Sequence, residues 1–240
     1  VLDLNRANLS TAAINVAVNG VIERDTMQAA ELRHPYLGAS IVGGECLRRV
    51  QYDWWCNSTH SARLREIFDR GHYFEERSRQ LLSKGGFKFA PTEALAFSAV
   101  DGLLRGHADG LIVTGPHLPD AELSYPLLWE HKAINAQNWR ALERDGLEKA
   151  FPQYAAQVAL YQAYLDVTNS ALFTAVNADT CERLHLLVPF DAARAQAWSD
   201  RAVTIIEATG AGELLPRFTD DKSHWHCRMC SHRERCWGPS

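Results

Sequence analysis

Three short segments stand in one order along the 240-residue chain: Gly106-His107-Ala108-Asp109-Gly110, then Glu130-His131-Lys132, then Gln157-Val158-Ala159-Leu160-Tyr161. Carboxylates are hard oxygen donors of the kind Mg2+ and Mn2+ prefer. A glutamate and a lysine two residues apart on a strand point to the same face. Asp109 and Glu130 can therefore hold one or two such ions, and the backbone carbonyl of His131 can add another oxygen. Lys132 can orient a water or neutralise charge developing on a phosphate. These are the parts for metal-dependent cleavage of a phosphodiester. Taken singly, each segment has a plainer use: a turn aspartate before glycine, a solvated ion pair on a strand, and a stretch of amphipathic helix. The apolar run Leu127-Leu128-Trp129 changes the weighing, because it marks a buried strand and a charged pair at its end needs a reason.

Six cysteines fall at positions 46, 56, 181, 227, 230 and 236. With no export signal visible, disulfides are the less expected use and a cytoplasmic setting the expected one. Cys227-x2-Cys230-x5-Cys236 offers three thiolates within ten residues, and soft sulfur ligands select zinc or an iron–sulfur cluster. A cubane needs a fourth thiolate, for which Cys46 is the candidate. Zinc is the rival, with His224, His226 or His232 completing a tetrahedral site. Cys56 and Cys181 are expected to be unligated core residues.

The elements that must position these groups follow from periodicity. Helices are expected over the first thirty or so residues, from about Glu45 through Trp54, and from Ser61 to Ser83, stopped by Gly85-Gly86. The period then shortens. Phe87 to Phe89, Leu103 to Val113 and Leu127 to Ala133 read as strands, with a loop from Gly115 to Pro126. Helices return over Gln137 to Glu148 and Gln153 to Asp166, after Pro152. Two strands, Ala171 to Val176 and Arg183 to Val188, and a helix from Asp191 to Thr209 follow, with an irregular tail from Pro216. The expected class is α/β, or α+β, with a central mixed β-sheet flanked by helices. The organisation expected is one domain: a helical N-terminal region (1–60) with Cys46, a core (61–190), and a C-terminal helix with the cysteine-rich segment (191–240). The length and the 46% hydrophobic content suit this. No run approaches a membrane span, so no membrane partner is expected. A net charge of -4 does not advertise nucleic-acid binding, though a local basic groove can coexist with it.

The three segments, together with Gly71 and Glu75 upstream, resemble the PD-(D/E)xK nuclease superfamily in its RecB-like branch. The resemblance runs from about Gly71 to Tyr161. It covers a helical glycine followed four residues later by an acid, a strand aspartate before glycine, E-x-K, and Q-x-x-x-Y preceded by Pro152 and Tyr154. It implies a restriction-endonuclease-like core, metal ligation by Glu75, Asp109 and Glu130, a catalytic Lys132, and active-site support or DNA contact by Gln157 and Tyr161. Many iron–sulfur relatives carry histidine where this chain has Glu75, and Glu76 is an adjacent alternative. One cysteine ahead of the core and three behind it are similar to the arrangement in CRISPR-associated RecB-like exonucleases and AddB helicase-nuclease subunits. That likeness implies a four-iron, four-sulfide (4Fe-4S) cluster on Cys46, Cys227, Cys230 and Cys236, joining the C-terminal part to the N-terminal helices. A departure is Leu47 after the first cysteine, where the CRISPR-associated members often have proline.

The expected activity is a Mg2+- or Mn2+-dependent exonuclease acting on single- or double-stranded DNA ends. Phage-type recombination, with a single-strand annealing protein as a further partner, leads over CRISPR adaptation. Rivals are a non-catalytic DNA-binding subunit and a zinc-dependent interaction module. Arg48, Arg49 and Arg105 are candidates for phosphate contact, with Arg63, Arg65, Arg228 and Arg233 behind them. Trp54, Trp55 and Trp139 could stack bases if exposed.

Overall fold

The computed structural model describes residues 7–26, 35–56, 61–91 and 95–238. The N-terminal helices are α1 (Ala7–Thr26), α2 (Ala39–Val42), α3 (Leu47–Trp55) and the long α4 (Ala62–Lys84), with strand β1 (Leu37–Gly38) just before α2. Of the helix expected over the first thirty residues, positions 1–6 and 27–30 lie outside the described residues. The side chain of Ser61 caps α4 by accepting the Leu64 N–H at 3.3 Å, which satisfies one of the orphan donors of its first turn. Gly85 ends it.

The strands that follow are β2 (Lys88–Phe89), β3 (Ala96–Ala99), β4 (Leu104–His107), β5 (Gly110–Thr114) and β6 (Leu127–Ile134). Next come α5 (Ala136–Ala150), α6 (Pro152–Tyr164), β7 (Ala171–Asn177), β8 (Arg183–Val188) and α7 (Ala192–Gly210). Asn135 and Asp191 cap α5 and α7 through their side chains, and Pro152 opens α6.

The architecture is mixed α/β with helices flanking two sheets, a correction to the single central sheet expected from the sequence. One sheet has five strands in the order β2-β5-β6-β7-β8, with β6 and β7 parallel and the other pairs antiparallel. The other has three, β1-β4-β3. The single strand expected over Leu103 to Val113 is two strands in different sheets. Between them the Ala108 N–H turns aside to the Leu95 carbonyl at 2.8 Å, and Ala108 is fully buried. Asp109 therefore sits where the chain crosses from one sheet to the other.

β6 and β7 lie inside the larger sheet. The near-continuous apolar run of β7 matches a strand covered on both faces, and every residue of it is buried. In α6 all of 155–162 is buried, and the helix packs against α2, α5, α7, β3 and β6. The tail, expected to be irregular, holds two short helices, α8 (Trp225–Arg228) and α9 (Arg233–Trp237). No helix among the described residues is long and apolar enough to cross a membrane.

Candidate active site

β6 presents Glu130 and Lys132 on one face. Glu130 is fully buried, and the Lys132 Nζ donates to its Oε1 at 2.5 Å. The other carboxylate oxygen, Oε2, is buried with no hydrogen-bond partner. Asp109 lies beside them, its Oδ2 accepting the His131 backbone N–H at 2.7 Å. Glu75, on α4, is half-buried and faces the same group of charges: burial first, then the Asp109 charge, raises its carboxyl above the usual range. Glu76, the adjacent alternative, is exposed and accepts from Gln80 within its own helix.

Burial, and then the Asp109 charge, push Glu130 up to about 8. Burial pulls Lys132 down, but the neighbouring Glu130 and Asp109 charges outweigh it and hold the ammonium charged. Lys132 also lies over the Tyr154 ring at 5.3 Å. α6 contributes the Gln157 Nε2, which donates to the Tyr161 hydroxyl at 3.0 Å. That phenol is raised by burial and then by the Glu130 charge, so it remains a neutral hydroxyl at the edge of the acidic group. All three opening segments, together with Glu75, therefore meet in one place.

Gly106 explains how α6 comes so close. A methyl group there would collide with the rings of Phe97 and Tyr161. Gly106→Ala is expected to cost about 1–3 kcal/mol through overpacking. It should also displace Tyr161, lowering thermal stability and any activity together. Unchanged melting would show that the ring has room to yield.

The residues missed in the sequence are those that hold the site. Ser78 is buried and its Oγ lies 3.1 Å from the His131 Nε2. Burial, then Lys132, hold that imidazole down at about 3, so it is neutral. The Arg79 guanidinium donates to the Asp109 carbonyl and lies over the rings of Phe89 and Trp129. A buried serine in the apolar stripe of α4, one turn from Phe74, was the available signal.

Cys46 is the N-cap residue of α3, Cys227 lies in α8, Cys230 just after it and Cys236 in α9. All four line one cavity, together with Arg217, His226 and His232. The tail reaches this place because α3 grips it. The buried Gln51 donates to Thr209 Oγ1 and the Glu213 carbonyl and accepts from the Leu215 N–H. Arg48 donates its Nε–H to the Leu215 carbonyl at 2.7 Å. His226 and His232 each place Nε2 on a carboxylate, Glu45 at 2.6 Å and Asp53 at 2.7 Å. Arg217 donates to the Cys236 Sγ at 3.3 Å. Cys56 is buried as expected, whereas Cys181 is exposed in the β7–β8 turn, a correction.

The candidate DNA contacts scatter. Arg48 is joined to the tail, and Arg49 to Asp53 one turn along its helix. Arg105 bonds the Gly102 carbonyl at 3.0 Å and lies over Tyr36. Trp54 and Trp139 are core residues and only Trp55 is exposed, which removes two of the three candidate stacking platforms.

No protein-family model matches the chain, and no curated protein matches it in sequence. Solved structures do. The alkaline exonuclease LHK-Exo from Laribacter hongkongensis is similar with a TM-score of 0.50 over 80% of this chain and 93% of that one, at 14% identity. LHK-Exo in complex with dAMP gives 0.51 over 74% and 89%, at 15% identity. The chain shares the overall fold of that exonuclease. At such identity the likeness is one of fold.

Glu130 makes one property of the metal-free protein testable. Its folded carboxyl, at about 8, lies above the ordinary 4.5, so between these values the folded chain holds a proton that the unfolded chain has released. Stability contributed by that proton is full below about pH 4.5 and is lost as pH rises toward about 8. Melting of the metal-free protein should therefore fall across this window relative to Glu130→Gln, which cannot ionise. Each kcal/mol moves Tm by about 2–4 °C in a chain of this size. Parallel Tm–pH curves for the two proteins would contradict the assignment.

Proposed function

We propose that this chain is a Mg2+- or Mn2+-dependent DNA exonuclease, with a 4Fe-4S cluster on Cys46, Cys227, Cys230 and Cys236. The observation that carries the nuclease reading is the unpartnered, buried Oε2 of Glu130 within a group of three acids and a lysine. A buried carboxylate oxygen without a partner is costly, and a cation is the partner it lacks. Among the described residues no three His, Cys, Asp or Glu side chains are gathered closely enough to ligate an ion as they stand. Holding an ion would therefore need these side chains to move from the positions they occupy in the structure.

Glu75, Asp109 and Glu130 would hold the ion, with the His131 carbonyl as a further oxygen. The ion would polarise the scissile phosphate and acidify a water. Lys132, held on Glu130 Oε1, is a fixed ammonium two residues away that can orient the attacking water and offset negative charge on the phosphate. Gln157 fixes the Tyr161 hydroxyl, which stays protonated and can donate to the DNA backbone. The fold likeness to an alkaline exonuclease supports DNA as the substrate and its ends as the site of attack.

Supporting the cluster over zinc, four thiols, those of Cys46, Cys227, Cys230 and Cys236, line one cavity, the number a cubane takes. The test of function is digestion of end-labelled single- and double-stranded linear DNA with Mg2+ or Mn2+, beside a closed circular control. Progressive loss of linear DNA only is the expected result. No degradation with either ion would defeat the proposal.

A further inference from the structure

Ser78 and Arg79 stand three and four residues after Glu75, so all three share one side of α4. Glu75 is on the helix, whereas Asp109 and Glu130 belong to the sheet crossing and to β6. Nothing in the covalent chain fixes the distance between those two sets of ligands. Only packing of α4 on the sheet does so, and α4 buries few side chains: Ala62, Phe74 and Ser78. A site that needs carboxylates from both bodies requires something to set their spacing.

We propose that Ser78 and Arg79 are positioning residues, a two-point latch holding the Glu75 helix in register with Asp109 and Glu130. The proposal rests on the metal-dependent nuclease reading. Ser78 engages the His131 ring, whose residue lies between Glu130 and Lys132 and gives its backbone N–H to the Asp109 carboxylate. Arg79 engages Asp109 from its other end, at the backbone carbonyl. Asp109 is thus held through its carboxylate by β6 and through its carbonyl by α4. The Arg79 guanidinium is itself fixed over Phe89 and Trp129, 4.7 and 5.4 Å from the ring centres. Phe89 is on β2 and Trp129 on β6, so the planar fork seats on two strands of the larger sheet. The flat guanidinium, bonding the carbonyl while stacked on two rings, suits this position and a lysine does not. Neither side chain is a ligand in this scheme. They act on the metal through the placement of Glu75 and Asp109, as outer hydrogen-bond partners orient ligands at metal sites generally.

The test uses the full chain with Ser78→Ala, Ser78→Thr, Arg79→Met and Arg79→Lys. Mn2+ binding without DNA is followed by the paramagnetic signal of the free ion, and kcat and KM are measured on linear DNA. Arg79→Met should weaken Mn2+ binding about tenfold, the lower end of the range for such partners. Its kcat at fixed Mn2+ should fall while KM for DNA changes little. Ser78→Ala should weaken binding less, and Ser78→Thr, which keeps the hydroxyl, should restore it. Arg79→Lys should lie nearer Arg79→Met than wild type. If Ser78→Ala and Arg79→Lys, the mildest changes, fold and bind Mn2+ as tightly as wild type, the latch is overturned. So is it if the variants melt earlier while Mn2+ affinity stays unchanged, because that describes a purely structural contact. A wild-type chain that binds no Mn2+ and degrades no DNA overturns both the latch and the nuclease reading. Wild-type activity with unaffected variants overturns the latch alone.

Discussion

Glu130→Gln and Lys132→Met should each abolish Mn2+-dependent degradation of linear DNA, by at least about a thousandfold in kcat. A thousandfold is roughly 4 kcal/mol of barrier, within what a polarising ion or a fixed cation supplies at a phosphoryl centre. The two variants differ in binding. Glu130→Gln, which removes a proposed ligand, should lose Mn2+ affinity as well as turnover, whereas Lys132→Met keeps the carboxylates and should retain the ion. Conservative replacements are needed because Glu130 and Lys132 form a buried pair. Gln and Met keep the side-chain volume, so no cavity is added, but either still leaves the partner's charge uncompensated, at about 3–5 kcal/mol, and loss of activity could then be loss of fold. Melting curves and Mn2+ binding separate the cases. Variants that digest DNA as fast as wild type would end the assignment.

The second large effect concerns the tail. Cys46→Ser or Cys230→Ser should remove absorbance near ~400 nm and bound iron, and expose the segment after α7 to protease. The protein contacts that hold this segment to α3 are modest. The Gln51 and Arg48 hydrogen bonds contribute about 1 kcal/mol each, and the partly exposed pairs of His226 and His232 with carboxylates contribute less. A structural metal site contributes on the order of 10 kcal/mol of folding free energy in small zinc domains. A loss of even part of that is large against a total stability of about 5–15 kcal/mol. Cys181→Ser, in an exposed turn, serves as the control with absorbance intact. If Cys230→Ser keeps its iron and its protease resistance, the cluster assignment is wrong. Zinc in place of iron, with no colour, would leave the site but change its occupant.

How much could be read from the chain is clearest in particular elements. The bounds of α4, β8 and α7 lie within a residue or so of expectation, because each carries a sustained period and its own stop or cap. β3 passed unnoticed: Ala96-Phe97-Ser98-Ala99 is short and has little alternation. β1 has only two residues. The break at Ala108 and Asp109 was invisible because the residues on either side of it both suit strands. What separates β4 from β5 is their choice of partners, β3 in one sheet and β6 in the other.

The sequence by itself determined which groups are available and in what order: Glu75, Asp109, Glu130 with Lys132, Gln157 with Tyr161, and cysteines at both ends. Side-chain chemistry and strand or helix spacing are local, and local properties are written in consecutive residues. Only the tertiary structure decided that these groups meet. Asp109 is bonded to His131 across 22 positions, Ser78 to His131 across 53, and Gln51 to the segment after α7 across about 160. Such contacts depend on how two sheets and a buried α6 pack together. That packing is a property of the whole core, and no short run of residues announces it.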